Sequence, residues 1–238
     1  MVIDRNPTGP LVIGHRGASA DHPENTVAAF RGAAEQGADW VELDVRINRV
    51  GELVVHHDPE LGDGRTVWST PLADAPDGTV DLARALDACA PMGINIEIKN
   101  SPGDLADAPY DLAVVDAVAD LLAARRSAGI VEEVLVSSFD LATLDRFRAL
   151  APGTPTGYLV VDPATDDAPA VAAANGHSAL HPWDPCVDAA LVDRCRSLGL
   201  LLNTWTVDDP ARVRALAVLG VDGIVTNSPA STRAALDR

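Results

Sequence analysis

Short apolar runs with β character alternate with helical patterns along the whole chain, and this alternation restricts the fold more than any other feature. Leu11–His15, Trp40–Arg46, Ile94–Ile98, Val134–Ser137, Thr156–Val160, Ser178–His181, Leu200–Trp205 and Asp222–Thr226 read as strands. Apolar residues recur at helical spacing over Glu24–Gln36, Asp111–Ser127, Asp140–Leu150, 167–174, Asp188–Leu198, Asp209–Leu219 and Pro229–Leu236. Pro23 and Glu24 suit the start of the first helix, Thr79 is read as the cap of a helix running to Cys89, and Asp208 as the cap before Pro210. Glu52–His56 is expected to pair back on the second strand as a hairpin around Val50-Gly51. Eight βα units in 238 residues give about 30 residues each, the specification of a (βα)8 TIM barrel. A doubly wound open sheet is the rival, but no strand leads into a GxGxxG turn or a P-loop. No linker or low-complexity tract divides the chain, so residues 1–238 are expected to form one domain.

Composition narrows the function. Apolar residues make up 47% of the chain, too many for disorder, yet no apolar run reaches the roughly 18–20 residues of a membrane span. No stable membrane insertion is therefore expected. The formal charge of −17 repels nucleic acid phosphates and argues against a nucleic-acid partner, while leaving room for one small anion held by a local cation. The start, Met1 to Pro7, has neither the basic flank nor the apolar core of a secretory signal, which points to a cytoplasmic protein. Cys89, Cys186 and Cys195 form no CxxC pair and are expected to be reduced structural thiols. A helical outer ring is compatible with a monomer and with a dimer.

In such a barrel the chemistry lies at the C-terminal ends of the strands. Gly14-His15-Arg16-Gly17 ends the first strand, with glycines that let both His15 and Arg16 turn into the mouth. On the second strand, period-two alternation puts Glu42 and Asp44 on one face and Val41, Leu43 and Val45 on the other. Two carboxylates facing a barrel centre repel each other unless a cation joins them, and oxygen ligands favour Mg2+ or Ca2+. Glu97 and Lys99 share a face of the third strand, so Glu97 can complete a three-carboxylate site. Lys99 either meets a phosphate or closes an internal ion pair with Glu97. Of the neighbouring His56 and His57 only one can enter the site, and His57 is chosen because Asp58 can orient it. Trp205 at a late strand end fits a substrate wall, His181 can reach the mouth after the sixth strand, and Phe139 can add apolar lining.

HRG at 15–17, PENT at 23–26, ELDV at 42–45, HD at 57–58, EIK at 97–99, SSF at 137–139, TWTV at 204–207 and DGIVTNSP at 222–229 together resemble the glycerophosphodiester phosphodiesterase family. The ordered set spans about residues 11–230. The resemblance implies a TIM barrel with a short insertion after the second strand, residues 59–93 with one helix, and a metal-dependent phosphodiesterase site. It implies Glu42, Asp44 and Glu97 as ligands of a divalent cation, Mg2+ or Ca2+, and His15 and His57 as the acid–base pair. It also implies Arg16 and Lys99 as phosphate contacts and Trp205 as a wall for the alcohol. Two departures stand out: Asn48-Arg49-Val50-Gly51 replaces the usual Thr-Lys-Asp-Gly, and Asn227 replaces the Asp of T-D-x-P.

The expected reaction is hydrolysis of a glycerophosphodiester to glycerol 3-phosphate and an alcohol. A lysophospholipase D-like enzyme acting on lysophospholipids is the second enzyme reading, and the polar 59–78 stretch offers little for an acyl chain. A non-catalytic phosphate-binding barrel is the third, though none of the proposed residues is missing.

Overall fold

A computed structural model describes residues 9–101 and 108–237, so the Met1–Pro7 stretch read for a leader lies outside the described residues. The eight predicted strands are present as β1 (Leu11–His15), β2 (Trp40–Ile47), β5 (Gly93–Ile98), β6 (Val134–Ser138), β7 (Thr156–Val160), β8 (Ala179–Pro182), β9 (Leu201–Thr204) and β10 (Gly223–Thr226). They pair in parallel in the order β1-β10-β9-β8-β7-β6-β5-β2, and β1 pairs with β2 to close the barrel. The predicted hairpin is β3 (Leu53–Val55), antiparallel to β2 with Val45 opposite Val55; β4 (Val80–Asp81) in turn pairs with β3.

The helices α1 (Val27–Glu35), α2 (Leu82–Cys89), α3 (Ala113–Ser127), α4 (Leu141–Leu150), α5 (Ala168–Ala174), α6 (Ala189–Ser197), α7 (Pro210–Leu219) and α8 (Pro229–Leu236) cover the outside. Three starts differ from expectation, each because a side chain better placed to accept a free N–H sits slightly later. Thr26, not Pro23 or Glu24, caps α1 by accepting from Ala29 N. Asp81, not Thr79, caps α2 by accepting from Arg84 N at 2.8 Å. Asp209, not Asp208, caps α7, which frees Asp208 for the role described below.

Alternation sorts the side chains into two cores and an interior gradient. Val41, Leu43, Val45, Ile94, Ile96 and Ile98 point outward and pack under α1, α2 and α3. Leu180, Leu202 and Ile224 do the same under the C-terminal helices. Inside the barrel, Ile13, Trp40, Leu135, Ala179 and Leu201 form an apolar plug at the N-terminal end. Above that plug the inward positions turn polar and then charged, which builds the site. The three cysteines are unpaired, as expected, and among the described residues no helix is long and apolar enough to cross a membrane.

Gly17 shows how tightly the first site loop is folded. Its φ is +88°, and a Cβ there would lie 2.5 Å from the Ala29 carbonyl carbon at the start of α1. Gly17→Ala should therefore cost at least about 1–3 kcal/mol, measured as a lowered urea midpoint with an unchanged slope.

Candidate active site

Residues from seven strands or the loops just beyond them line one cavity of about 180 Å3: His15, Arg16, Glu42, His57, Asn95, Glu97, Lys99, Phe139, Leu159, His181, Trp205, Thr206 and Val225. Glu42, Asp44 and Glu97 are buried, and each brings an oxygen within 4.8 Å of the others. Period-two alternation on β2 and β5 is what aims them together. Lys99 Nζ lies 2.6 Å from Glu97 Oε1 and 3.3 Å from Asp44 Oδ1, so the anticipated Glu–Lys pair exists inside the cavity. Arg16 Nε is 3.3 Å from Asp44 Oδ2, and its outer nitrogen bonds Glu24 at 2.9 Å. The Arg16 backbone N–H donates to Glu42 Oε2 at 2.9 Å.

The carboxylates do not share one protonation behaviour. Burial, reinforced by Asp44 and Glu97, lifts Glu42 well above the ordinary carboxylate range. Burial also pushes Glu97 up to about 7 against the pull of Lys99. Burial would raise Asp44 as well, but Lys99 and then Arg16 hold it below its usual value. Glu97 and Asp44 keep Lys99 charged despite its burial, pushing it up to about 12.

Both predicted histidines line the cavity, and hydrogen bonds fix their tautomers. Asn227 Nδ2 donates to Asp208 Oδ2 at 2.6 Å, which leaves Oδ1 as its acceptor. That oxygen receives Ser19 Oγ–H at 2.8 Å and the Nδ1–H of His15 at 2.7 Å. His57 donates Nδ1–H to Asp58 Oδ1 at 2.7 Å. In their neutral forms both rings therefore carry an unprotonated Nε2. Burial, and then Arg16, lowers the His15 pKa. Burial lowers that of His57 too, with Lys99 and Arg16 adding to it and Asp44 and Asp58 opposing. His56 stays out of the cavity, its Nε2 bonded to the Glu60 carbonyl at 3.0 Å.

The opposite wall is apolar. Phe139 and Trp205 meet edge to face with ring centres 5.6 Å apart, and the Trp205 indole N–H donates to the His181 carbonyl at 2.8 Å. His181 itself is a floor residue: it is almost wholly buried, and Gly157 leaves space for its ring.

Against this geometry, the pattern that defines the glycerophosphoryl diester phosphodiesterase family matches residues 15–231. The chain belongs to that family. It is 30% identical to a glycerophosphodiester phosphodiesterase of Caldanaerobacter subterraneus, over 92% of this chain and 94% of that one. Its fold is similar to that of an Oleispira antarctica phosphodiesterase solved with the product sn-glycerol-3-phosphate, with TM-score 0.84, 26% identity, and 97% and 98% of the two chains covered. A glycerophosphodiester phosphodiesterase of Thermotoga maritima matches with TM-score 0.75 and 28% identity over 93% and 96% of the chains.

The residues present fit a hard divalent cation. Three buried carboxylates form an all-oxygen set, and Glu42 Oε1 has neither a hydrogen-bond nor an ion-pair partner. A divalent cation with Arg16 and Lys99 would exceed three carboxylates by one positive charge, which matches the single negative charge of a phosphodiester.

Several residues that shape the family site were not singled out from sequence. Asn25, with φ +57°, donates Nδ2–H to Asp44 Oδ2 at 2.8 Å and holds that carboxylate. Arg46 donates through Nε to the His57 carbonyl at 2.9 Å and pins the loop that carries the imidazole. Asn95 lines the cavity one inward position before Glu97. The alternation that selected Glu42, Asp44 and Glu97 also places Arg46 and Asn95 inward, so it held the signal for both. Asp208 and Ser19 carried no such signal, because their partner Asn227 lies far away in the chain.

His181 also makes a stability prediction. Burial brings its pKa down to about 4. Above the unfolded value of 6.5 the ring is neutral in both states, whereas between 6.5 and about 4 only the unfolded chain gains the proton. Lowering the pH through this window should therefore lower stability, by about 1.4 kcal/mol per pH unit from this group. Urea titrations at successive pH values should show a slope that His181→Asn removes.

Proposed function

We propose that the chain hydrolyses glycerophosphodiesters to sn-glycerol 3-phosphate and an alcohol, with a divalent cation, Mg2+ or Ca2+, bound by Glu42, Asp44 and Glu97. The observation that carries this reading is the convergence of three buried carboxylates, two side-chain cations and two histidines on one cavity. The product held by the Oleispira antarctica relative supports the choice of substrate class.

When bound, the cation supplies positive charge to a non-bridging phosphate oxygen. Arg16 and Lys99 bind the phosphate from the same side and stabilise the charge that builds on it in the transition state. His15 Nε2 takes the proton of the attacking oxygen as its bond to phosphorus forms. His57 Nε2 gives a proton to the leaving oxygen as the second P–O bond breaks. The assignment follows from what stands behind each ring: a neutral amide behind His15, and a carboxylate that favours the protonated ring behind His57. Phe139 and Trp205 exclude water from the alcohol side, and His181 contributes to the floor.

A screen of several glycerophosphodiesters, with each cation supplied and glycerol 3-phosphate detected by a coupled assay, tests this reading. Release of glycerol 3-phosphate is the expected result. Turnover confined to lysophosphatidylcholine would move the protein to the lipid-acting class, and binding without product under every condition would make it a phosphate-binding barrel.

A further inference from the structure

Below the carboxylates, two inward-facing side chains on different strands carry polar atoms that nothing in the protein satisfies. These are Asn95 Oδ1 on β5 and His181 Nδ1 on β8. Their residues are 4% and 1% exposed, and both line the cavity that holds His15 and His57. Leaving such groups unpaired costs about 1–3 kcal/mol each, so a pair of them facing one cavity calls for a ligand. Their chemistry says which kind. Asn203 Nδ2 donates to His181 Nε2 at 3.1 Å, so the proton of the neutral ring stands on Nδ1. Gly157 permits the ring's position, since a Cβ there would fall 2.6 Å from His181 Nε2. His181 thus offers a donor and Asn95 an acceptor.

A phosphate oxygen satisfies only the donor, and a quaternary ammonium group satisfies neither. A hydroxyl satisfies both, because it donates one hydrogen bond and accepts another. We propose that Asn95 and His181 form a buried subsite for a hydroxyl of the substrate's alcohol, with Asn95 Oδ1 accepting the hydroxyl proton and His181 Nδ1–H donating to the hydroxyl oxygen. The inference rests on the hydrolase reading for the identity of that alcohol, glycerol. It makes the floor of the cavity the place where a glycerol ester is told from an ester that lacks hydroxyls. Selection of this kind is strong, because the wrong ligand leaves two buried polar atoms unpaired.

The test is binding, which needs no turnover. Calorimetric titration with sn-glycerol 3-phosphate and with ethyl phosphate, in the presence of Mg2+ or Ca2+, should show the glycerol ester bound about 10- to 100-fold more tightly. His181→Gln reaches Asn203 but has no polar atom where Nδ1 stands, and should reduce the ratio to about 2-fold. His181→Asn places an amide N–H near the Nδ1 position and should retain most of it. Asn95→Leu removes the acceptor and gives the same test should His181→Gln fail to fold. Equal affinities in the unaltered protein, or binding of neither phosphate, would overturn the subsite. Discrimination without product release from any glycerophosphodiester would keep the subsite and overturn the hydrolase reading. Turnover without discrimination would do the reverse.

Discussion

His15→Ala and His57→Ala should each lower kcat by about 10²–10⁴-fold while circular dichroism and the thermal midpoint stay close to those of the unaltered protein. Neither imidazole belongs to the apolar clusters, and each is tied at Nδ1 to a polar partner, Asn227 or Asp58, that can turn to water when the ring is removed. What the variants lose is an Nε2 facing the cavity. A change of leaving group separates the two roles. A p-nitrophenyl diester departs as a stable anion and needs little protonation, so His57→Ala should recover much of its rate on that substrate. His15→Ala should stay slow on both, since the attacking oxygen still has to lose its proton. Equal losses on the two substrates would reverse or cancel the assignment, and near-unaltered rates in either variant would remove that ring from the chemistry.

Removing divalent cations with a chelator should lower activity by about 10³-fold or more, and Mg2+ or Ca2+ should restore it. Glu97→Ala and Asp44→Ala should resist that restoration, because each removes an oxygen ligand and leaves Lys99 with one carboxylate partner instead of two. Stability gives a second readout. A cation present at about 100 times its Kd adds about 2.7 kcal/mol to the folded state. The effect should grow with pH. Glu97 titrates at about 7 in the folded chain against an ordinary 4.5, so between those values the folded state holds a proton that the unfolded chain has released. Without a cation, stability should therefore fall as pH rises through that window; with one bound, the fall should shrink. Urea midpoints measured with and without chelator at pH 5 and pH 7.5 check this. Full activity after exhaustive chelation would contradict the three-carboxylate site.

Much of the fold could be read from the chain because its two periodicities rarely conflict. Strands such as WVELDVR and INIEIK announce both their length and their inward face, and the hairpin at Val50-Gly51 follows from turn chemistry. Helix starts were less legible, since Thr79, Asp81, Asp208 and Asp209 are all acceptable caps by residue type. Only the backbone path decides which of them meets a free N–H. The same limit applied in the site. Facing residues on one strand could be paired by spacing, as Glu42 with Asp44 and Glu97 with Lys99. The ties between distant segments could not: Asn25 to Asp44, Asp208 to Asn227, and Asn227 to His15. Asn227 stood out in sequence only as a lost acidic group. In the fold its amide oxygen accepts from His15, and the acid is supplied one step back by Asp208.

The anchoring of His57 bears on how this enzyme scaffold can diversify. The His56 backbone N–H donates to the Asp44 carbonyl at 3.1 Å, and Arg46 grips the His57 carbonyl, so both ties run to β2. The excursion that begins at Pro59 and returns at β4 hangs from a point already fixed on the barrel wall. Lengthening, trimming or swapping that excursion should leave the imidazole where it is. Selection for new alcohols, or a library built by grafting segments between Pro59 and Gly78, can then rewrite the rim of the cavity without disturbing the reacting centre.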